Sequence, residues 1–101
     1  MARRRVVITG LGIVSPVGNS IEQAWQNILS GRSGIDRITR FDASTFPVQI
    51  AGEVRDFDIA KYIPAKDARR MDTFIHYGMA AGIQAIKDAG LEAHPINAER
   101  I

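Results

Sequence analysis

The sequence predicts an α/β layered fold, and three observations carry that reading. The first is a continuous apolar run, Val6, Val7 and Ile8, rich in β-branched side chains. Such a run reads as a strand buried on both faces, as in a parallel sheet covered by helices. The second is a glycine-rich exit through Gly10, Gly12, Pro16 and Gly18, where backbone turns in places a side chain would collide. The third is a helix start directly afterwards, at Ser20. Strand, glycine exit and helix in that order open an α/β fold.

The totals bound what this fold can be. A chain of 101 residues is the length of one small domain, and 46% hydrophobic content is ordinary for a globular one. Thirteen Lys and Arg face eleven Asp and Glu, a formal charge of +2, which demands no nucleic acid as partner. Cysteine is absent, so these residues hold no disulfide, thiolate metal site or cysteine nucleophile. Arg3, Arg4 and Arg5 before the apolar run mimic a signal peptide, but Gly10, Gly12 and Pro16 break the run and no small-x-small cleavage pattern closes it. No apolar segment approaches the ~20 residues of a membrane span. The expectation is a soluble cytoplasmic protein, with the three arginines as solvated charge.

Ser20 suits a helix N-cap, and Gln23 three residues on makes a capping box. Ile21, Ala24, Trp25, Ile28 and Leu29 then share one face, and Gly31 takes the left-handed position that ends the helix. Residues 31–47 lack a sustained period and read as a long loop, tacked to the core by Ile35, Ile38 and Phe41. Val48, Ile50 and Val54 alternate with Gln49, Ala51, Glu53 and Arg55, which predicts a half-buried strand with the apolar set inward. Asp58 caps a short turn through Ile59 and Tyr62 that stops at or before Pro64. A short helix follows over residues 66–71, with Lys66, Arg69 and Arg70 at i, i+3 and i+4 on one face. Composition alone makes that face a solvated surface partly neutralised by Asp67 and Asp72.

A longer helix runs from about Asp72 to Ala89 and stops at Gly90. From Phe74 to Ile86 it is apolar nearly all round, so it is expected to be buried on every side. Gly78, Gly82 and Ala85 form a thin flank for a close neighbour. His76, Gln84 and Lys87 interrupt it too often for a membrane helix. Two helices and two strands cannot wrap such an element, so these residues belong to something larger or self-associate. Beyond Leu91 a loop around Pro95 leads to Arg100 and Ile101, which read as the start of a further element.

Chemistry is sparse. Gly10-x-Gly12-x-x-Ser15 lacks the third glycine of a dinucleotide fingerprint, Pro16 stands where its helix should begin, and Asp36 lies in loop sequence. The glycines instead pack the turn against neighbouring strands. His76 reads as a satisfied core residue, and His94 sits beside Pro95 with no metal-ligand spacing near either. Ser15 and Ser33 have no evident base. Read by themselves, these residues hold no catalytic constellation.

Several stretches nonetheless resemble the start of bacterial β-ketoacyl-acyl-carrier-protein synthases. They are Arg4-Arg5-Val6-Val7-Ile8-Thr9-Gly10-Leu11-Gly12, Ser15-Pro16-Val17-Gly18-Asn19, Leu29-Ser30-Gly31-x-Ser33-Gly34-Ile35, Phe41-Asp42 and Ala51-Gly52. Arg69-Arg70-Met71-Asp72-x-Phe74-Ile75-x-Tyr77-Gly78 is similar to the elongating type. The resemblance implies the thiolase-like fold of α-β-α-β-α layers, with residues 1–101 as a partial N-terminal synthase domain. It implies a homodimeric fatty-acid enzyme that condenses acyl groups with malonyl-carrier protein and uses no metal or organic cofactor. The family's catalytic cysteine and two histidines lie beyond position 101, and neither His76 nor His94 corresponds to them. Lys66, Arg69 and Arg70 match basic positions that engage acidic acyl carrier protein, which turns the solvated face into an expected docking patch. Rival readings are a non-catalytic carrier-binding module or partner subunit, and a small nucleotide-binding α/β protein.

Overall fold

A computed structural model of the chain describes residues 3–91, so the expected loop and further element at residues 92–101, with His94, lie outside the described residues. The elements in order are α1 (Ile21–Leu29), β1 (Ile35–Arg37), β2 (Ile50–Gly52), a 3₁₀ turn (Ile59–Lys61), α2 (Ala65–Ala68) and α3 (Thr73–Ala89).

Local chemistry sets the helix ends. The Ser20 side chain accepts from the Gln23 N–H at 3.2 Å, as a capping residue should. The returning bond shifts by one residue: Gln23 Oε1 accepts from the N–H of Asn19, at 3.0 Å, and not from that of Ser20. At the other end Gly31 adopts φ 72°, its N–H donates to Ile28, and the Arg32 N–H donates to Asn27. That pair of bonds closes a Schellman motif. α3 ends alike: Gly90 has φ 71° and donates to Lys87, while Leu91 donates to Ile86. Asp58 Oδ1 accepts from Ala60 at 3.0 Å and opens the 3₁₀ turn, as expected. The expected helix over 66–71 shortens to a single α-turn, with Arg69 and Arg70 in the turn after it.

The sheet departs from expectation in two ways. β1 lies inside the stretch read as loop and pairs antiparallel with β2, Ile35 opposite Gly52 and Arg37 opposite Ile50. The three-residue strand is too short to show a period, so only its partner reveals it. β2 itself is shorter than the alternating stretch, and its phase is inverted. Glu53 is buried, at 8% exposure, whereas Val48 and Ile50 face outward. The carboxylate goes inside because donors meet it there.

The opening run also departs. Residues 6–8 pair with no strand among the described residues, and Val6, Val7 and Ile8 are 87%, 69% and 82% exposed. A strand is made by its ladder, and these residues have no neighbour to supply one. The turn after them is seated on α3 at Gly10 and Gly12, and meets the strands, as expected, at Pro16, which a Cβ on Gly52 of β2 would approach to 3.0 Å. A Cβ on Gly12 would stand 2.0 Å from the Ala81 carbonyl oxygen, and one on Gly10 would stand 2.4 Å from that of Ala85. The Leu11 N–H donates to Asp88 Oδ2 and the Ile13 N–H to Gln84 Oε1. The seat is therefore the Ala81, Ala85, Ala89 side of α3. Of the expected thin flank, Ala85 belongs to this seat, whereas Gly78 and Gly82 are open, with nothing within 4 Å of an added Cβ at either.

The core is correspondingly slight. Its buried apolar residues among those described are Ala24, Ala43, Ala68 and Ala80. α3 was expected to be covered on every side, yet Phe74 is 72% exposed and Met79 and Ile86 are also open to solvent. Ile35 and Phe41, expected to tack the loop down, are exposed as well, as is Trp25 on the apolar face of α1. The accessible surface is 8450 Å², against about 5,700 Å² for a folded monomer of this mass. The radius of gyration is 17.5 Å, against about 13 Å for a compact domain of this length. The elements are formed, and among the described residues no further layer encloses them.

Candidate functional site

The expected docking residues stand together on one turn. Lys66 lies within α2, Arg69 is its C-cap and Arg70 follows. All three are exposed, and none forms an ion pair among the described residues. The turn rests on three fixtures. Ala68 is buried beneath it, at 7% exposure. The 3₁₀ turn runs into it, with the Ile63 N–H donating to Ile59. His76, in the first turns of α3, brings Nε2 to 2.8 Å from the Ala68 carbonyl oxygen. A carbonyl only accepts, so Nε2 carries the proton. His76 is thus a satisfied histidine, as expected, but half-buried and not in the core.

Aromatic packing holds the preceding segment. Phe57 stacks on Tyr62 with ring centroids 6.1 Å apart and packs nearly perpendicular to Tyr77 at 5.2 Å. Gln84 Nε2 donates to the Tyr62 hydroxyl and to the Asn19 carbonyl. Gln84 therefore ties the glycine exit, the 3₁₀ turn and α3 at one point.

Sequence reading missed a polar knot around Glu53. Its carboxylate accepts from the Thr39 N–H (3.1 and 3.2 Å), the Thr39 hydroxyl (2.9 Å) and the Arg40 N–H (3.2 Å), with Arg55 Nη2 at 3.6 Å. Arg40 reaches onward to the Val54 carbonyl and the Tyr77 hydroxyl, which fastens the ribbon to α3. Desolvation pushes the Glu53 carboxyl up, but the Thr39 hydroxyl and N–H, the Arg40 N–H and the Arg55 charge together outweigh it and hold the group below its ordinary value of 4.5. A depressed value in the folded state means the stabilisation is whole above pH 4.5 and drains away as pH falls through the folded value. The E53Q variant keeps the shape and loses the charge. Its loss of hydrogen-exchange protection at the Thr39 and Arg40 amides, relative to the parent chain, is expected to be constant above pH 5 and to narrow steadily below 4.5; a loss independent of pH would contradict this assignment.

Nothing among the described residues forms a catalytic set. The Ser15 hydroxyl donates to the Gly18 carbonyl, and Ser33 Oγ accepts from the Ile35 N–H, so both serines serve local turns. Among the described residues no group of three or more His, Asp or Glu side chains is placed to hold a metal. A cleft of about 260 Å³ lined by Asn19, Ser20, Asp56, Asp58, Lys61 and Tyr62 holds no nucleophile beside a base. No helix is long and apolar enough to cross a membrane among the described residues.

Comparison with known proteins gives this arrangement its context. Residues 3–101 match the family described as "Beta-ketoacyl synthase, N-terminal domain". The chain is 54% identical over 101 residues to the 3-oxoacyl-[acyl-carrier-protein] synthase 2 of Vibrio harveyi and to that of Coxiella burnetii, and 46% identical to that of Synechocystis. It is covered entirely and spans 24% of the length of each. Among solved structures, the ishigamide ketosynthase/chain length factor superposes on 89% of the chain and 22% of its own length, with a TM-score of 0.76 at 41% identity. The exposed run at residues 6–8 and the open sides of α3 accordingly belong to a partial thiolase-like fold. The chain belongs to the β-ketoacyl synthase family.

Proposed function

We propose that these residues are the opening part of an elongating 3-oxoacyl-acyl-carrier-protein synthase of fatty-acid biosynthesis. The observation that carries the reading is identity of 46–54% running through the whole chain to enzymes of that name. The parent reaction is a decarboxylative Claisen condensation. An acyl group passes from carrier protein to a cysteine, malonyl-carrier protein loses carbon dioxide, and the carbanion attacks the thioester. The groups that do this fall, by resemblance, beyond residue 101. The part played here is scaffold and docking: Lys66, Arg69 and Arg70 meet the acidic carrier protein, in a cytoplasmic homodimer. Three exposed cations without internal partners on one turn support the docking.

The test is a hybrid in which this chain replaces the first 101 residues of the Vibrio harveyi synthase. It should condense acyl and malonyl groups at a rate within about tenfold of the parent, a window of 1.4 kcal/mol in barrier. Reversing both arginines, R69E with R70E, should raise the KM for carrier protein at least about tenfold and flatten its dependence on salt. A soluble hybrid without turnover would sink the synthase reading. Unchanged KM across salt in the double variant would sink the docking.

A further inference from the structure

The docking turn is too short to hold itself. α2 has four residues, and an isolated helix below about 12 residues is marginal in water. Its N-terminus has no side-chain cap: Pro64 occupies that position and has no polar side-chain atom. Its last carbonyls are left without helical partners, as at any helix end. The Ala68 carbonyl takes the Met71 N–H at 3.2 Å and the His76 ring at 2.8 Å. The second bond is the only side-chain hydrogen bond from another element to residues 65–71 among the described residues. It joins a one-turn helix to the 17-residue α3.

We propose that His76 is the positioning residue of the docking turn: through its Nε2–H bond to the Ala68 carbonyl it sets the direction in which Lys66, Arg69 and Arg70 face an acidic partner. The inference rests on the docking reading above. Long, flexible cations on a loose turn would spread over many directions, and fixing the backbone beneath them removes that freedom before the partner arrives. The ring itself touches no partner. It acts through a backbone carbonyl that is one residue from Arg69 and two from Arg70.

The experiment uses the same hybrid with two substitutions. His76→Phe keeps a flat ring and removes the donor. His76→Gln keeps an N–H donor at comparable reach. The Phe variant should raise the KM for carrier protein roughly fivefold, the worth of one hydrogen bond, with kcat held. The Gln variant should return KM to within about twofold of the hybrid. Amide hydrogen exchange of residues 65–71 should quicken in the Phe variant and not in the Gln variant. Unchanged exchange and KM in H76F would overturn the proposal, as would equal losses in both variants. An H76F protein that is insoluble while H76Q is not would also overturn it, since the ring would then hold the core and not the turn. Failure of the docking reading looks different: R69E with R70E leaves KM untouched, whatever exchange at 65–71 shows.

Discussion

Replacing Gly12 by alanine is expected to detach the opening segment from α3. A methyl group there meets the Ala81 carbonyl oxygen at 2.0 Å and the Gln84 Cβ at 2.8 Å. The obstacle at 2.0 Å is helix backbone, which no rotamer change can move. Either the segment lifts or α3 bends, and lifting forfeits the Leu11 and Ile13 bonds to Asp88 and Gln84. Overpacking of this kind costs about 3 kcal/mol, the upper end of what an added methyl does in a filled site. That is a large share of the ~5–15 kcal/mol that holds a domain together. In the hybrid synthase G12A should lower the urea midpoint sharply and leave most of the protein insoluble on expression. G12A with a midpoint equal to that of the hybrid would show that the seat is not as close as the geometry has it.

The second large effect concerns the chain by itself. Its surface exceeds that of a compact monomer of the same mass by roughly half, and much of the excess is apolar: residues 6–8, Phe74, Trp25, Leu29 and Val48 all stand open. Surface of that size, with an unpaired β-branched run at one edge, invites association. The 101-residue polypeptide alone is expected to sediment as a broad range of oligomers, to bind a hydrophobic dye, and to melt without a sharp transition. It should show no condensing turnover with acyl- and malonyl-carrier protein. A monodisperse monomer with one cooperative melt would contradict the incomplete fold described above.

What the sequence disclosed, and what it hid, divides by range. Ser20, Gln23 and Gly31 announce α1 because capping is decided within a turn of chain, and Asp58 and Gly90 announce their elements for the same reason. Lys66, Arg69 and Arg70 group together because their spacing is local too. The pairing of β1 with β2 was hidden, since three residues carry no period and their partner lies fifteen positions away across the ribbon. Glu53 reads as solvent-facing because charge is exposed by default; its burial depends on the Thr39 and Arg40 N–H groups, which no pattern around Glu53 reveals. Burial of residues 6–8 and of α3, expected from their apolar composition, does not occur among the described residues, because composition cannot say whether the covering surface is within reach. The link from His76 to Ala68 was invisible for a subtler reason: a ring on one helix meets the backbone of another, and backbone leaves no mark in residue types.

The contact between Leu11 and Asp88 spans 77 positions, and that distance has a consequence in time. A ribosome adds ~5–20 residues each second, so about 4 to 15 seconds pass between the emergence of the first partner and that of the second. Throughout that interval the Leu11 and Ile13 N–H groups have no helix to donate to, and the apolar residues 6–8 beside them are unanchored. The Arg3, Arg4 and Arg5 triplet stands directly before those residues, and charge flanking a hydrophobic stretch opposes its adhesion to neighbouring chains.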